Sequence, residues 1–344
     1  MDKSTTATVT RSQLRKRLDA LPRVRLSRTP TPLEDAPRLS ALLGGPRILI
    51  KREDTTGLAF GGNKGRHFEF EMAHITEGGY DTVINVNDYH SNQARFIAAG
   101  CAKLGLRYLL VSTDKVDRPL QGNLLLCKLM GAEIHRVAAS DGIEYARKLA
   151  AEVTAGGGKP YIVNDDLFPS LMGMIGFLEC GLELEDQLQQ HGLDNMRVWG
   201  LAGRSIPGLR LFSKNRGLSW KATAVRYSPS NDEKDRTTMI ARSHDTADLV
   251  GLPVALEPGD IDILTDYAGP GYGIPYDGVF EAIHMVARSE SLILDPNYTG
   301  KSMAALIGEI RAGRVTRDDT VVFIHSGGLP QVFAFAEELA AWSG

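Results

Sequence analysis

Lys64 sits in the run Gly61-Gly62-Asn63-Lys64-Gly65-Arg66, and that setting suits covalent or anion chemistry. The two glycines have no Cβ, so the backbone can come close to whatever lies at the turn. Asn63 adds a side-chain amide. A helical run follows from Arg66 to Ala73, so the lysine stands at a helix mouth, where backbone N–H groups favour negative charge. A lysine there can hold a phosphate or carry an aldehyde cofactor as a Schiff base. It can also be a surface lysine after a glycine turn, since such turns often precede helices. Ser91-Asn92-Gln93 forms a second candidate, following an apolar strand and opening a helix. Backbone amides at that junction can bind a carboxylate, with the hydroxyl and side-chain amides as further donors. The plain alternative is an N-cap serine.

Four blocks in order resolve the ambiguity. Pro30-Thr31-Pro32-Leu33 with Ile50-Lys51-Arg52-Glu53-Asp54 and the glycine turn, His90-Ser91-Asn92-Gln93-Ala94-Arg95, Asp295-Pro296-Asn297-Tyr298-Thr299-Gly300-Lys301, and Ile324-His325-Ser326-Gly327-Gly328 resemble fold-type II pyridoxal phosphate enzymes. More narrowly, they resemble the 1-aminocyclopropane-1-carboxylate deaminase / D-cysteine desulfhydrase family, over roughly residues 20 to 340. The resemblance implies pyridoxal 5'-phosphate as cofactor and Lys64 as its Schiff-base lysine, which then takes the substrate α-proton as a neutral amine. It makes Ser91 a catalytic and substrate-binding candidate, and it puts Asn92 near the cofactor ring with Gln93 on the substrate side. The family loop reads QSNH, so Ser91 and Asn92 match while His90 and Gln93 depart from it. Upstream, Asn87-Asp88 stand where relatives have paired glycines. Tyr272 and Tyr298 match two tyrosines over the cofactor's reactive side; taken singly, each reads as a core aromatic at a loop end. Thr299 matches the position facing the pyridine nitrogen, and a hydroxyl there suits β-elimination or β-replacement better than transamination.

The phosphate cradle is expected at Gly200-Leu201-Ala202-Gly203-Arg204-Ser205-Ile206-Pro207-Gly208. Gly203 and Ser205 fit it. Arg204 replaces a glycine, and Pro207 has no amide to donate. His67 replaces a phosphate-directed lysine. We expect Arg204 to supply the missing charge through its bidentate guanidinium.

Holding these residues requires a scaffold of alternating strands and helices. Strands are predicted at 81–86, 107–111, 132–137 and 161–163, with helices from Ser91 to Leu104, through Leu124 and Leu129, and from Gly142 to Val153. A second series follows from near residue 170, with strands at 196–199, 222–225, 261–264 and 320–324. Such alternation predicts βαβ units and parallel sheets. The expected fold class is therefore α/β, two domains with the active site in the cleft between them, and the resemblance implies that both are three-layer domains of the tryptophan synthase β type. The resemblance assigns residues 1–67 and 166–344 to a large cofactor-binding domain and 68–165 to a small inserted one.

The 344 residues suffice for two cores, and a formal net charge of -3 gives no basic field for nucleic acid. No apolar run is long enough to span a bilayer. Residues 1 to 11 are expected to be loose and uncleaved, ahead of a short basic helix at 12–18. Cys101, Cys127 and Cys180 are scattered in apolar segments, which predicts buried free thiols in a reducing cytoplasm and no disulfide set. The eight histidines show no metal spacing, so no metal is expected. The resemblance implies a cytoplasmic, homodimeric lyase or deaminase acting on a small amino acid. It would eliminate a β-substituent or open a ring, giving a 2-oxo acid and ammonia. A β-replacement synthase and a non-catalytic cofactor-binding homologue are the alternatives.

Overall fold

The computed structural model describes residues 8–113, 119–165, 167–229 and 232–344. Among the described residues ten strands run in chain order: β1 (Leu33–Asp35), β2 (Arg47–Lys51), β3 (Thr82–Asn87), β4 (Arg107–Ser112), β5 (Glu133–Arg136), β6 (Pro160–Ile162), β7 (Arg197–Leu201), β8 (Lys221–Val225), β9 (Asp262–Leu264) and β10 (Thr320–Ile324). The helices are α1 (Arg11–Asp19), α2 (Pro37–Leu43), α3 (Gly65–Glu77), α4 (Asn92–Leu104), α5 (Gly122–Leu129), α6 (Gly142–Ala155), α7 (Phe168–Gln190), α8 (Ser205–Arg216), α9 (Asp232–Val250), α10 (Asp277–Glu290), α11 (Thr299–Arg311) and α12 (Ala336–Ala341).

The strands form two sheets, a six-stranded one in the order β1-β2-β10-β7-β8-β9 and a four-stranded one in the order β5-β4-β3-β6. Every pairing is parallel except β1 with β2. Parallel strands covered on both faces need apolar residues without alternation, as in Val321-Val322-Phe323-Ile324 of β10, all buried. The strands predicted from alternation are present within a residue or two. The edge pair β1 and β2 is not legible that way, because the run Ile50-Lys51-Arg52-Glu53-Asp54 reads as too charged for a central strand. The charges are accommodated by a buried ion network. Arg66 donates to Glu53 at 2.6 and 2.7 Å and to Glu183 at 2.9 and 2.8 Å. Lys51 Nζ donates to Thr31 O at 2.7 Å, Glu183 at 3.1 Å and Gln187 at 2.9 Å. This network holds the first turn of α3, and so the backbone that carries Lys64.

All three cysteines are buried free thiols, and burial pushes the Cys127 thiol up to about 12. Among the described residues, the one group with metal-ligand potential is Glu53, Cys180 and Glu183. Arg66 already pairs with both of its carboxylates, and Lys51 with Glu183. Residues 1–7 of the expected loose N-terminus lie outside the described residues. No helix among the described residues is long and apolar enough to cross a membrane. The C-terminal segment returns to the four-stranded sheet, where Ala334 and Phe335 join the core that contains Val83, Phe96 and Leu110.

Candidate active site

A cleft of about 550 Å³ opens between the sheets at the carboxyl ends of β3, β7 and β8. Ligands of open α/β sheets bind at such strand ends. Lys64, Asn63, Ser91, Asn92, Gln93, Gly203, Arg204, Ser205, Tyr272 and Tyr298 all line it. They come from segments that are far apart in sequence.

Lys64 caps α3 after a turn in which Gly61 has φ 71° and Gly62 has φ 137°. Only glycine adopts such angles cheaply. At Gly61 a Cβ would also fall 1.8 Å from Asp54 O. Arg95 donates to Gly61 O at 3.1 Å and to Ala59 O, and Ser326 O accepts the Asn63 N–H at 3.0 Å, so the turn is fixed from two sides. Burial lowers the Lys64 ammonium to about 8, with Arg204 and Arg95 adding repulsion and Asp295 opposing it. A substantial fraction of neutral amine near physiological pH follows, which a nucleophile or base requires.

Ser91 is both an N-cap and a cleft residue. Its Oγ accepts the Ala94 N–H at 3.2 Å, which leaves the hydroxyl proton to donate into the cleft. Asn92 Oδ1 accepts from Asn123 at 3.0 Å and Arg95 at 3.2 Å, which orients its amide.

Tyr272 and Tyr298 hydroxyls hydrogen-bond each other. Burial holds both phenols well above their usual range, so they act as neutral donors. A third tyrosine, Tyr227, packs on both rings, with centroids 6.1 Å from Tyr272 and 5.2 Å from Tyr298. Sequence reading misses it. Its position just past β8 is the available signal, since site residues gather at the carboxyl ends of parallel strands. Lys301 ties the tyrosine loops together, donating to Tyr227 O at 2.9 Å, Ala268 O at 2.7 Å and Gly271 O at 2.8 Å.

Thr299 is fully buried one residue past Tyr298 and does not face the cleft. Its hydroxyl donates to Asp295 at 2.7 Å and accepts the Asp295 N–H at 2.8 Å. Asp295 also accepts the N–H groups of Asn297, Tyr298 and Thr299 at 2.9 to 3.0 Å, so it caps α11 and fixes the Tyr298 backbone.

Opposite the tyrosines, Gly203, Arg204 and Ser205 open α8. Arg204 lies where Gly173 leaves space: a Cβ there would sit 2.1 Å from Arg204 Cδ. Arg204 makes no side-chain hydrogen bond among the described residues. His67 is 4 % exposed, and its Nε2 has no hydrogen-bond partner among the described residues. Burial holds its imidazole well below the usual range, with Arg204 and Lys64 repelling the charged form. An orphaned imidazole nitrogen, a guanidinium without a hydrogen bond though within the field of the Glu71 carboxylate, and a helix N-terminus around one space fit a phosphate. Pyridoxal phosphate therefore suits the residues present.

The comparisons with known proteins agree. Residues 24–327 match the family model described as pyridoxal-phosphate dependent enzyme. A 1-aminocyclopropane-1-carboxylate deaminase of Burkholderia vietnamiensis is 36% identical over 335 residues, covering 93% of this chain and 98% of that protein. A probable 1-aminocyclopropane-1-carboxylate deaminase of Schizosaccharomyces pombe is 35% identical, covering 89% and 94%. A solved structure titled as an ACC deaminase homologue superposes with TM-score 0.86 at 28% identity over 96% of this chain and 99% of that one. A solved threonine deaminase, at 20% identity and TM-score 0.62 over 93% and 98% of the two chains, shares the fold. Family match, relatives and fold together show that this chain belongs to the pyridoxal-phosphate dependent enzymes.

Proposed function

We propose that the chain is a pyridoxal-phosphate dependent lyase that deaminates a small amino acid to a 2-oxo acid and ammonia. The observation that carries this reading is the convergence of Lys64, Ser91, Tyr272 and Tyr298 on one cleft, with the lysine lowered to about 8. Lys64 would carry the cofactor aldehyde as a Schiff base through Nζ. Asn63 and Asn92 would flank the ring. Gly203, Arg204, Ser205 and His67 would hold the phosphate. The resemblance would put Thr299 at the ring-nitrogen end; in this structure its hydroxyl proton is committed to Asp295 behind the cleft lining, so we give it no contact with the ring. The bound cofactor supplies an electron sink for the carbanion formed at the substrate.

The chain's own residues do the rest. Ser91, Asn92 and Gln93, with the α4 amides, take the substrate carboxylate. Lys64, as a free amine, removes the proton from carbon. The neutral phenols of Tyr272 and Tyr298 pass protons on the far side. The assembly would be a cytoplasmic homodimer, with residues 1–67 and 166–344 forming the cofactor domain and 68–165 the smaller one, onto which the C-terminal segment packs through Ala334 and Phe335. The relatives, which carry the deaminase name over nearly their full length, support the reaction class.

Borohydride reduction of the cofactor-loaded protein, followed by peptide mapping, tests the reading. The pyridoxyl group is expected on Lys64, with ammonia and 2-oxo acid released from at least one member of a panel of small L- and D-amino acids. A protein that stays colourless with added cofactor, or that is labelled on another lysine, refutes it.

A further inference from the structure

One wall of the cleft belongs to α9. Asp235, Thr238, Met239 and Arg242 line it at positions i, i+3, i+4 and i+7, which is a single helix face. Arg226, on the same wall, is paired with Asp235 at 2.7 Å. The Arg242 backbone is fixed from behind. Thr246, fully buried, donates to Arg242 O at 2.8 Å and touches Met174 Sδ of α7 at 3.6 Å. The adjacent Ser243 Oγ accepts the Leu256 N–H at 3.0 Å. α9 begins at Asp232, so Arg242 lies about 15 Å along its axis from that end. Its side chain is half-buried and makes no hydrogen bond or ion pair among the described residues.

Arg242 shares its end of the cleft with Arg204. Burial lowers the Arg204 guanidinium, and the Arg242 charge lowers it further. Two cations facing one space repel each other, and an anion placed between them reverses the sign. A phosphate monoester such as that of pyridoxal phosphate carries about 1.5 to 2 negative charges at pH 7. The groups already assigned to it fall short of that. The Glu71 carboxylate answers part of the Arg204 charge. Burial keeps His67 neutral. The first turn of α8 has the Ser205 and Ile206 amides to offer, whereas Pro207 has no N–H. One more cation on this side closes the balance. We propose that Arg242 is the second arginine of the phosphate site, holding the cofactor phosphate from α9 together with Arg204 and the α8 amides. The inference rests on the cofactor reading above and adds a residue to that same site.

Equilibrium dialysis of cofactor-free protein tests it, with pyridoxal phosphate and phosphate-free pyridoxal as the two probes. Both present the same aldehyde to Lys64 and differ only in the anion. Arg242→Ala is expected to weaken pyridoxal phosphate about tenfold and to leave pyridoxal within about twofold of wild type. Arg242→Lys should recover part of the loss, since a point charge lacks the guanidinium fork. The melting temperature of the cofactor-free variant should match wild type, because the side chain has no hydrogen bond to lose. Should the alanine variant fail to fold, Arg242→Gln keeps much of the stem without the charge and is read in the same way. An equal loss for the two probes overturns the inference, because it places Arg242 away from the phosphate. So does a charge-free variant that binds pyridoxal phosphate like a wild type loaded on Lys64, and in that case the cofactor reading stands. A wild type that takes up neither probe on Lys64 refutes both readings.

Discussion

At the scale of single residues, the site rests on charges whose burial sets their state. Lys64 is lowered to about 8, first by desolvation and then by Arg204 and Arg95. The neutral amine is the form that attacks an aldehyde, so the rate of cofactor uptake by cofactor-free protein should rise with pH through about 8. Stopped-flow absorbance checks this; a rate that stays flat across that range would contradict it. The sign for stability follows from the same shift. The folded lysine releases its proton at lower pH than the unfolded one, so its destabilising contribution is present below about 8 and fades as pH rises towards the ordinary lysine value. Arg204 and His67 differ in what they offer a phosphate. A charged donor is worth about 1.5–3 kcal/mol and a neutral one about 1 kcal/mol. Arg204→Ala should therefore weaken cofactor binding by roughly ten- to a hundredfold, and Arg204→Lys should recover part of that. His67→Ala should cost only about fivefold. Equilibrium dialysis of the three variants in one buffer measures all three. An Arg204→Ala protein that binds as tightly as wild type would free that arginine for another role.

At the scale of elements, helix packing and loop tethers aim these groups. α7 runs against both α3 and α8, and its glycines let it approach closely. At Gly173 an added methyl would occupy the path of Arg204. Gly173→Ala should thus weaken cofactor binding much as Arg204→Ala does, without changing any charge, and helix propensity argues against a loss of secondary structure. Dialysis paired with circular dichroism tests the point. Lys301 plays the corresponding part for the tyrosines. Lys301→Met leaves three carbonyls without their shared donor, each at a cost of about 1–3 kcal/mol. The expected result is a lower urea midpoint, and a kcat that falls by more than KM changes, because the phenols lose position while the carboxylate site keeps its amides. Unchanged kcat in a destabilised variant would leave Lys301 purely structural.

At the scale of the whole molecule, the cleft exists because two sheets are held at a fixed separation, and the C-terminal segment helps to fix it. Gln331 Nε2 donates to His90 O at 2.8 Å, and the Phe335 ring stacks on His90 at 5.1 Å. His90 belongs to the loop that presents Asp88 and Ser91. Phe335→Ala should cost about 3–5 kcal/mol and should also loosen that loop. Substrate affinity is therefore expected to drop more than cofactor affinity, as the substrate groups sit on the four-stranded side and most phosphate groups on the other. Chemical denaturation together with separate titrations of cofactor and amino acid separates these effects.

Much of this molecule is readable along the chain, because local physics writes it there. β3, β4, β7, β8 and β10 announce themselves as apolar runs, since buried parallel strands cannot alternate. The turn before Lys64 announces itself as Gly61-Gly62, since no other residue fits those angles. What the tertiary structure alone decides is which distant groups meet. Lys51, Glu53, Arg66 and Glu183 look like surface charges in sequence, yet they form one buried network. Tyr227 carries no local mark, and it becomes a site residue only when β8 ends beside the loops of Tyr272 and Tyr298. The Thr299 hydroxyl matches a cofactor position in sequence, while in space its proton goes to Asp295. Burial, charge and direction are properties of a surrounding that no window of sequence contains, and they determine which side chains in this cleft can react.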